Sequence, residues 1–199
     1  AVYMSEVANH KIRNLMKPII ELLSGIPSVV YGFFGLIVIV PFLQKVFDLP
    51  VGESGLAGSI VLAIMALPTI ITVTEDAMRT WPRAMREASL ALGASQWQTI
   101  YKVVIPYSIS GITSGVVLGI GRAVGETMAV LMVTGNAAVI PHTILEPLRT
   151  IPATIAAELG EAPAGGAHYE ALFLLGVVLF FISLLINFTV EAVSSGKRK

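Results

Sequence analysis

Charged residues are absent from Leu22 to Gln44, from Leu56 to Thr74 and from Ala171 to Val190. Each run is close to the length of about 20 apolar residues that a helix needs to cross a bilayer. A fourth stretch, Gly111 to Thr134, is equally apolar except for Arg122 and Glu126. Polar connections separate these stretches, so the pattern predicts an all-α polytopic membrane protein with spans over about 18–46, 56–74, 109–134 and 171–191. Gly25, Pro27, Gly32, Gly35 and Pro41 predict a kinked helix, or a half-helix leading into a span, in the first of them. Pro68 predicts a kink in the second. Ala1–Ala8 reads as the end of an earlier span, and the chain as the C-terminal part of something longer.

The charges inside the 109–134 span need a reason. Each costs about 2.5–3.5 kcal/mol at the bilayer centre, so the pair is expected to face protein, water or solute rather than lipid. On one continuous helix at about 100° per residue, Gly111, Gly115, Gly119, Arg122 and Glu126 share an arc of roughly 80°, and Ala129 continues it. Thr113, Val117, Ile120, Val124, Met128 and Leu131 fill the opposite side. Glycine at every fourth position lets a helix or a solute come close to the backbone. Two readings follow: an ion pair that fixes helix packing, or a conducting stripe in which Arg122 meets an anion and Glu126 orients or neutralises Arg122 between solutes. Cation before anion at i,i+4 is the weaker helical order, which favours a further partner for Arg122. Thr127 adds a hydroxyl on the neighbouring face.

Composition agrees with the membrane reading. The chain of 199 residues is 55% hydrophobic and 13% charged, against about 25% charged in soluble domains. Mean hydropathy is +0.80. Zero net charge gives no case for nucleic-acid binding, and the lack of cysteine removes disulfides, thiolate metal sites and cysteine nucleophiles. His10, His142 and His168 show no ligand spacing, so no metal site is expected. No G-x-x-x-x-G-K-[ST] phosphate loop and no G-x-S-x-G elbow occurs, so neither nucleotide binding nor enzymatic chemistry is expected in this chain.

The basic residues set an orientation. Lys11, Arg13, Lys17, Arg79, Arg83, Arg86, Lys102, Lys197, Arg198 and Lys199 all fall on one side of a four-span arrangement, leaving only Lys45, Arg122 and Arg149 of the 13 Lys and Arg. The positive-inside rule makes that side, with the C-terminus, cytoplasmic.

The polar segment 75–106 lies on that side. Pro82 suits the first turn of a helix that runs to Leu92 and stops at Gly93. Ser95 and Gln98 form a capping box for a second helix that Pro106 ends. Met85, Leu92, Trp97 and Ile100 are apolar residues on otherwise polar helices and suggest docking into a partner's groove. Glu87-Ala88-Ser89, then Gly93, then Val103-Val104-Ile105-Pro106 resembles the cytoplasmic loop of ABC-importer permeases, whose pattern is E-A-A, three residues, G, nine residues, I-x-L-P. Ser89, Val103 and Ile105 depart from that pattern by small or isosteric changes. The resemblance implies a coupling loop in which Glu87, Ala88, Ser89, Gly93 and Pro106 engage an ATP-binding subunit.

Two further phrases narrow the resemblance. Glu21-Leu-Leu-Ser-Gly-Ile-Pro-Ser-Val-Val-Tyr-Gly32 and Gly121-Arg-Ala-Val-Gly-Glu-Thr-Met-Ala-Val130 are similar to phosphate-transport permeases of the PstC type, more than to their PstA partner. Met132–Asn136 and Ala153–Glu161 continue the likeness. It implies a permease subunit in the cell membrane, without cofactor, paired with a PstA-like permease, two ATP-binding cassette subunits and an extracytoplasmic phosphate-binding protein. Arg122 and Glu126 would then line phosphate passage. Arginine suits that task because its planar fork matches an oxyanion bidentately. The rivals are a permease for sulfate or molybdate, the PstA-like partner itself, and a stand-alone anion channel. In the outer connection, Pro152 predicts a short helix with Ile151, Ile155 and Leu159 on one side, packed on the outer mouth or against a binding protein.

Overall fold

The computed structural model describes residues 1–195; Lys197, Arg198 and Lys199, which the orientation argument used, lie outside the described residues. After a wide π-type turn at Tyr3–Val7 come α1 (His10–Gly25), α2 (Ser28–Val46), α3 (Gly55–Arg79), α4 (Arg83–Ala91), α5 (Gln96–Tyr107), α6 (Ile109–Val124), α7 (Met128–Val133), α8 (Ile151–Glu158) and α9 (Ala167–Ser195). No strand occurs among the described residues beyond an isolated bridge between Gly135 and Leu148. By length and composition α2, α3 and Ala167–Thr189 of α9 can each cross a membrane, and α5 with α6 can do so as a pair bent by 68°.

Prolines set the breaks. Pro27 forces Ile26 out of helical geometry and separates α1 from α2, with Pro27 itself extended at ψ 141°. Pro41 and Pro106 instead stay inside helical segments. Each follows a widened π turn, Gly35–Ile39 and Ile100–Val104 respectively. The ring of a helical proline collides with the carbonyl four residues back. Here those carbonyls, of Ile37 and Lys102, lie within the widened turns, which relieves the clash. The second hairpin helix therefore ends at Tyr107, just past Pro106, and the chain bends at Ser108.

The chain divides into two compact units. The first holds residues 1–24, 67–120 and the described residues from Ile186 onward. Its core joins Met78 and Trp81 to Val104, with Val103 and Ile105 packed beside them. Trp81 and Tyr107 meet edge to face, centroids 4.8 Å apart. The basic residues Lys11, Arg13 and Lys17 lie in the first half of α1. That helix turns Arg13, Lys17 and Ser24 partly inward and leaves Leu15 and Leu22 exposed.

Within the same unit α6 packs on α3 through its glycines. A β-carbon at Gly111 would stand 2.2 Å from Ala77 Cβ, and one at Gly115 2.9 Å from Thr74 Oγ1. The small-residue stripe is thus occupied by a helix along Gly111–Gly115, which corrects the solute-facing reading of that part.

The second unit, residues 25–66 and 121–185, centres on α2, the start of α3, and α7. Tyr31, Ile39, Leu43, Val61, Met65, Ala129 and Val133 form its core. Gly32 and Gly35 admit α7 against α2: a β-carbon at Gly32 would lie 2.8 Å from Ala129 Cα. After α7 the chain turns at Gly135 and Asn136, both with positive φ, and the Leu148 N–H donates to the Thr134 carbonyl at 3.0 Å.

Candidate functional site

The hairpin of α4 and α5 forms from its caps. Ser95 Oγ accepts the Gln98 N–H at 3.3 Å, and Gln98 Oε1 accepts the Ser95 N–H at 2.8 Å. The predicted capping box is present on both sides. Gly93 takes φ +84°, a left-handed conformation that ends α4 and aims α5 back. Ser89, which replaces an alanine of the family pattern, bonds Thr99 between hydroxyls at 3.0 Å and ties α4 to α5. Glu87 and Ala88 lie exposed on α4. Among the four apolar residues expected to dock, Leu92 is 90% and Trp97 68% exposed, with Met85 also exposed. Ile100 is buried at 2% exposure and belongs to the core, a correction to that expectation. Pro106 is exposed and follows the buried Val104.

Two acids that sequence reasoning passed over hold the hairpin's base. Glu6 pairs with Arg86 of α4 at 2.7 Å, and its carbonyl accepts from Gln96 Nε2 at 3.1 Å. These residues, with Leu90 and Thr99, border a cavity of about 280 Å³. Glu75, near the end of α3, is 1% exposed and stands among Arg13, Lys17 and Arg79 at 3.5–3.6 Å. Lys17 also binds Asp76 at 2.8 Å. That hydrogen bond, aided by the charges of Glu75 and Asp76, raises Lys17 above the usual lysine range despite partial burial. The sequence signal for Glu75 was available: it closes an uncharged run in which burial is expected.

The stretch carrying Arg122 and Glu126 is not one helix. α6 ends at Val124, Gly125–Thr127 form a break, and α7 begins at Met128. The arc shared by Gly111, Gly115, Gly119 and Arg122 therefore stops at Arg122, and Glu126 and Ala129 do not extend it. Glu126 turns Oε1 to the Ala129 N–H at 3.2 Å, a carboxylate satisfying a free donor at the start of α7. Thr127 directs its hydroxyl to the Gly125 carbonyl at 3.3 Å. Arg122, Glu126 and Thr127 are all half-buried.

Gly125 and Thr127 border a cavity of about 530 Å³ whose other wall includes Pro152, Ala156 and Gly160 on and beside α8. The predicted outer helix is present: Pro152 lies in its first turn, and Thr150 Oγ1 accepts the Ala153 N–H. Ile155 and Leu159 line this cavity and a second apolar one against Leu172 and Phe173 of α9. Arg149 fixes the approach to α8, donating from Nε to the Asn136 carbonyl at 3.1 Å and pairing with Glu158. His168 Nε2 lies 3.1 Å from the other Glu158 oxygen. Among the described residues no group of three or more His, Asp or Glu is placed to hold a metal.

Comparison with known proteins bears on the whole chain. The family model described as binding-protein-dependent transport system inner membrane component matches residues 1–199. YqgH of Bacillus subtilis, a probable ABC transporter permease protein, is 42% identical over 198 residues, covering all of this chain and 64% of the relative. The phosphate transport system permease protein PstC of Mesorhizobium japonicum is 38% identical over 205 residues, covering 94% of this chain and 62% of that protein. PstC 1 of Mycobacterium tuberculosis is 39% identical over 191 residues, with 85% and 56% covered. The chain thus spans less than two thirds of the length of these relatives. Among solved structures, the methionine ABC transporter MetNI in an inward-facing conformation superimposes with a TM-score of 0.73 over 98% of this chain and 82% of that one. At 20% identity that likeness establishes the fold.

Proposed function

This chain belongs to the family of binding-protein-dependent transport system inner membrane components, and from that premise we propose that it is a permease subunit of an ATP-driven phosphate importer. Similarity to several PstC proteins over most of the chain supports phosphate as the cargo. The observation that carries the coupling role is the hairpin. Two short helices, locked by the Ser95–Gln98 box and the Ser89–Thr99 bond, hold Leu92 and Trp97 out as an apolar tip. Such a tip fits a groove on an ATP-binding cassette subunit, and the distribution of basic residues supports a cytoplasmic side for it and for the C-terminus. The remaining partners are a PstA-like permease, a second cassette subunit and an extracytoplasmic phosphate-binding protein.

Closure of the cassettes on ATP moves the two permeases' hairpins together and exchanges inward-facing for outward-facing states. Arg122, in the last turn of α6 before the break, is the oxyanion-meeting residue. Its guanidinium offers paired donors in a setting drier than bulk water, where they count for more. Glu126 has a different task from the one its spacing suggested. It holds the start of α7, and so keeps the chain open at Gly125–Thr127 beside the 530 Å³ cavity.

The test is phosphate uptake by the assembled transporter carrying Arg122→Ala or Arg122→Lys. Loss of uptake in the alanine variant, with normal co-purification of the other subunits and partial recovery in the lysine variant, is the predicted result. Full uptake by Arg122→Ala returns the residue to a packing role.

A further inference from the structure

Glu75 is a buried carboxylate that passage of phosphate does not use. Burial of an ionised acid is unfavourable unless cations compensate it, and here Arg13, Lys17 and Arg79 surround it. None of the contacts is short. Arg13 Nε and Arg79 Nη1 stand 3.5 and 3.6 Å from Oε1, and Lys17 Nζ 3.6 Å from Oε2. Oε1 accordingly has no hydrogen-bond partner among the described residues. This is attraction through charge rather than through a directed bond, so the carboxylate can trade one cation for another as helices shift. Lys17 to Asp76, at 2.8 Å, is the close contact beside it.

The cluster's place in the chain gives it a task. Arg79 ends α3, and Thr80–Pro82 lead directly into the hairpin helix α4. Arg13 and Lys17 sit on α1, which runs on through Ile26-Pro27 into α2. A second tie of the same kind, Glu6 to Arg86, fastens the segment before α1 to α4 itself. The 1–24 segment is thus tied at two charged points, to the end of α3 that leads into the hairpin and to the hairpin helix α4 itself.

We propose that Glu75 is a positioning residue for transport, carrying displacement of the hairpin to α1 through its shared cations. This rests on the permease reading. It goes beyond it in placing a coupling element at the base of the hairpin rather than at its tip.

The experiment uses the complete transporter with both permeases, cassettes and binding protein in proteoliposomes, and reads phosphate moved per ATP hydrolysed. Glu75→Gln is predicted to lower that ratio roughly tenfold, the scale on which residues inside a coupling network act. Glu75→Asp is predicted to recover most of it. Because Glu75→Gln can disturb folding, the paired change Arg13→Gln with Lys17→Gln, on partly exposed side chains, is the second arm, with a loss of roughly threefold to tenfold predicted. A ratio equal to wild type in either arm overturns the proposal, as does failure of Glu75→Gln to co-purify together with a normal ratio in the second arm. A wild-type complex in which phosphate never stimulates ATP hydrolysis would instead defeat the permease reading itself.

Discussion

At Gly111 one methyl group decides how closely two helices can run. A β-carbon there would meet Ala77 Cβ at 2.2 Å, and neither side chain has a rotamer to escape by. Gly111→Ala should therefore destabilise the purified protein by about 1–3 kcal/mol, the scale of overpacked cores, and lower its thermal midpoint. Adding Ala77→Gly should restore most of it, because the second change removes the atom in the way. An unshifted midpoint in Gly111→Ala would mean that α3 and α6 are not in contact there. The glycine period itself was legible in the sequence. What filled the stripe was not, since a helical wheel shows which residues share a face and says nothing of what lies opposite. Arg122 and Glu126 show the same limit. Their i,i+4 spacing implied one surface only while the helix was continuous.

Helix ends carry the next level of information. The hairpin was readable almost in full, because Ser95, Gln98 and Gly93 act through local bonds that need no tertiary context. Ser95→Ala should cost about 0.5–2 kcal/mol of local stability, and Gly93→Ala should add strain at φ +84°. Both are expected to weaken capture of a cassette subunit in a pull-down while leaving membrane insertion intact; unchanged capture in the double variant would show that the tip does not depend on its caps. The break at Gly125–Thr127 escaped notice because apolar residues continue on both sides of it. Its signal was Gly125 followed at once by an acid, Glu126, whose carboxylate takes an N–H at the start of α7, a stop-and-start pattern that hydropathy masks. The π turns before Pro41 and Pro106 were also out of reach. Proline predicts a disturbed helix, yet whether the chain kinks, ends or widens depends on the packing around it.

On the scale of the molecule, α2, α3 and α9 fall on the three uncharged runs, while the 109–134 stretch is divided between α6 and α7, and α6 instead makes a membrane-length pair with α5, bent by 68°. Composition sufficed for the class, because a chain with 13% charge and these uncharged runs has no soluble fold in which to bury them. The burial of Glu75 was legible at the end of its uncharged run, but its cations were not, since Arg13 reaches Glu75, and Arg86 reaches Glu6, only through tertiary contacts. We propose a cassette-driven hairpin whose motion presents Arg122 to phosphate from alternate sides of a membrane. ATP hydrolysis by the reconstituted transporter, with the binding protein loaded first with phosphate and then with sulfate, tests it most directly. Stimulation by phosphate and none by sulfate is the predicted result; stimulation by sulfate alone, or hydrolysis indifferent to both anions, contradicts it.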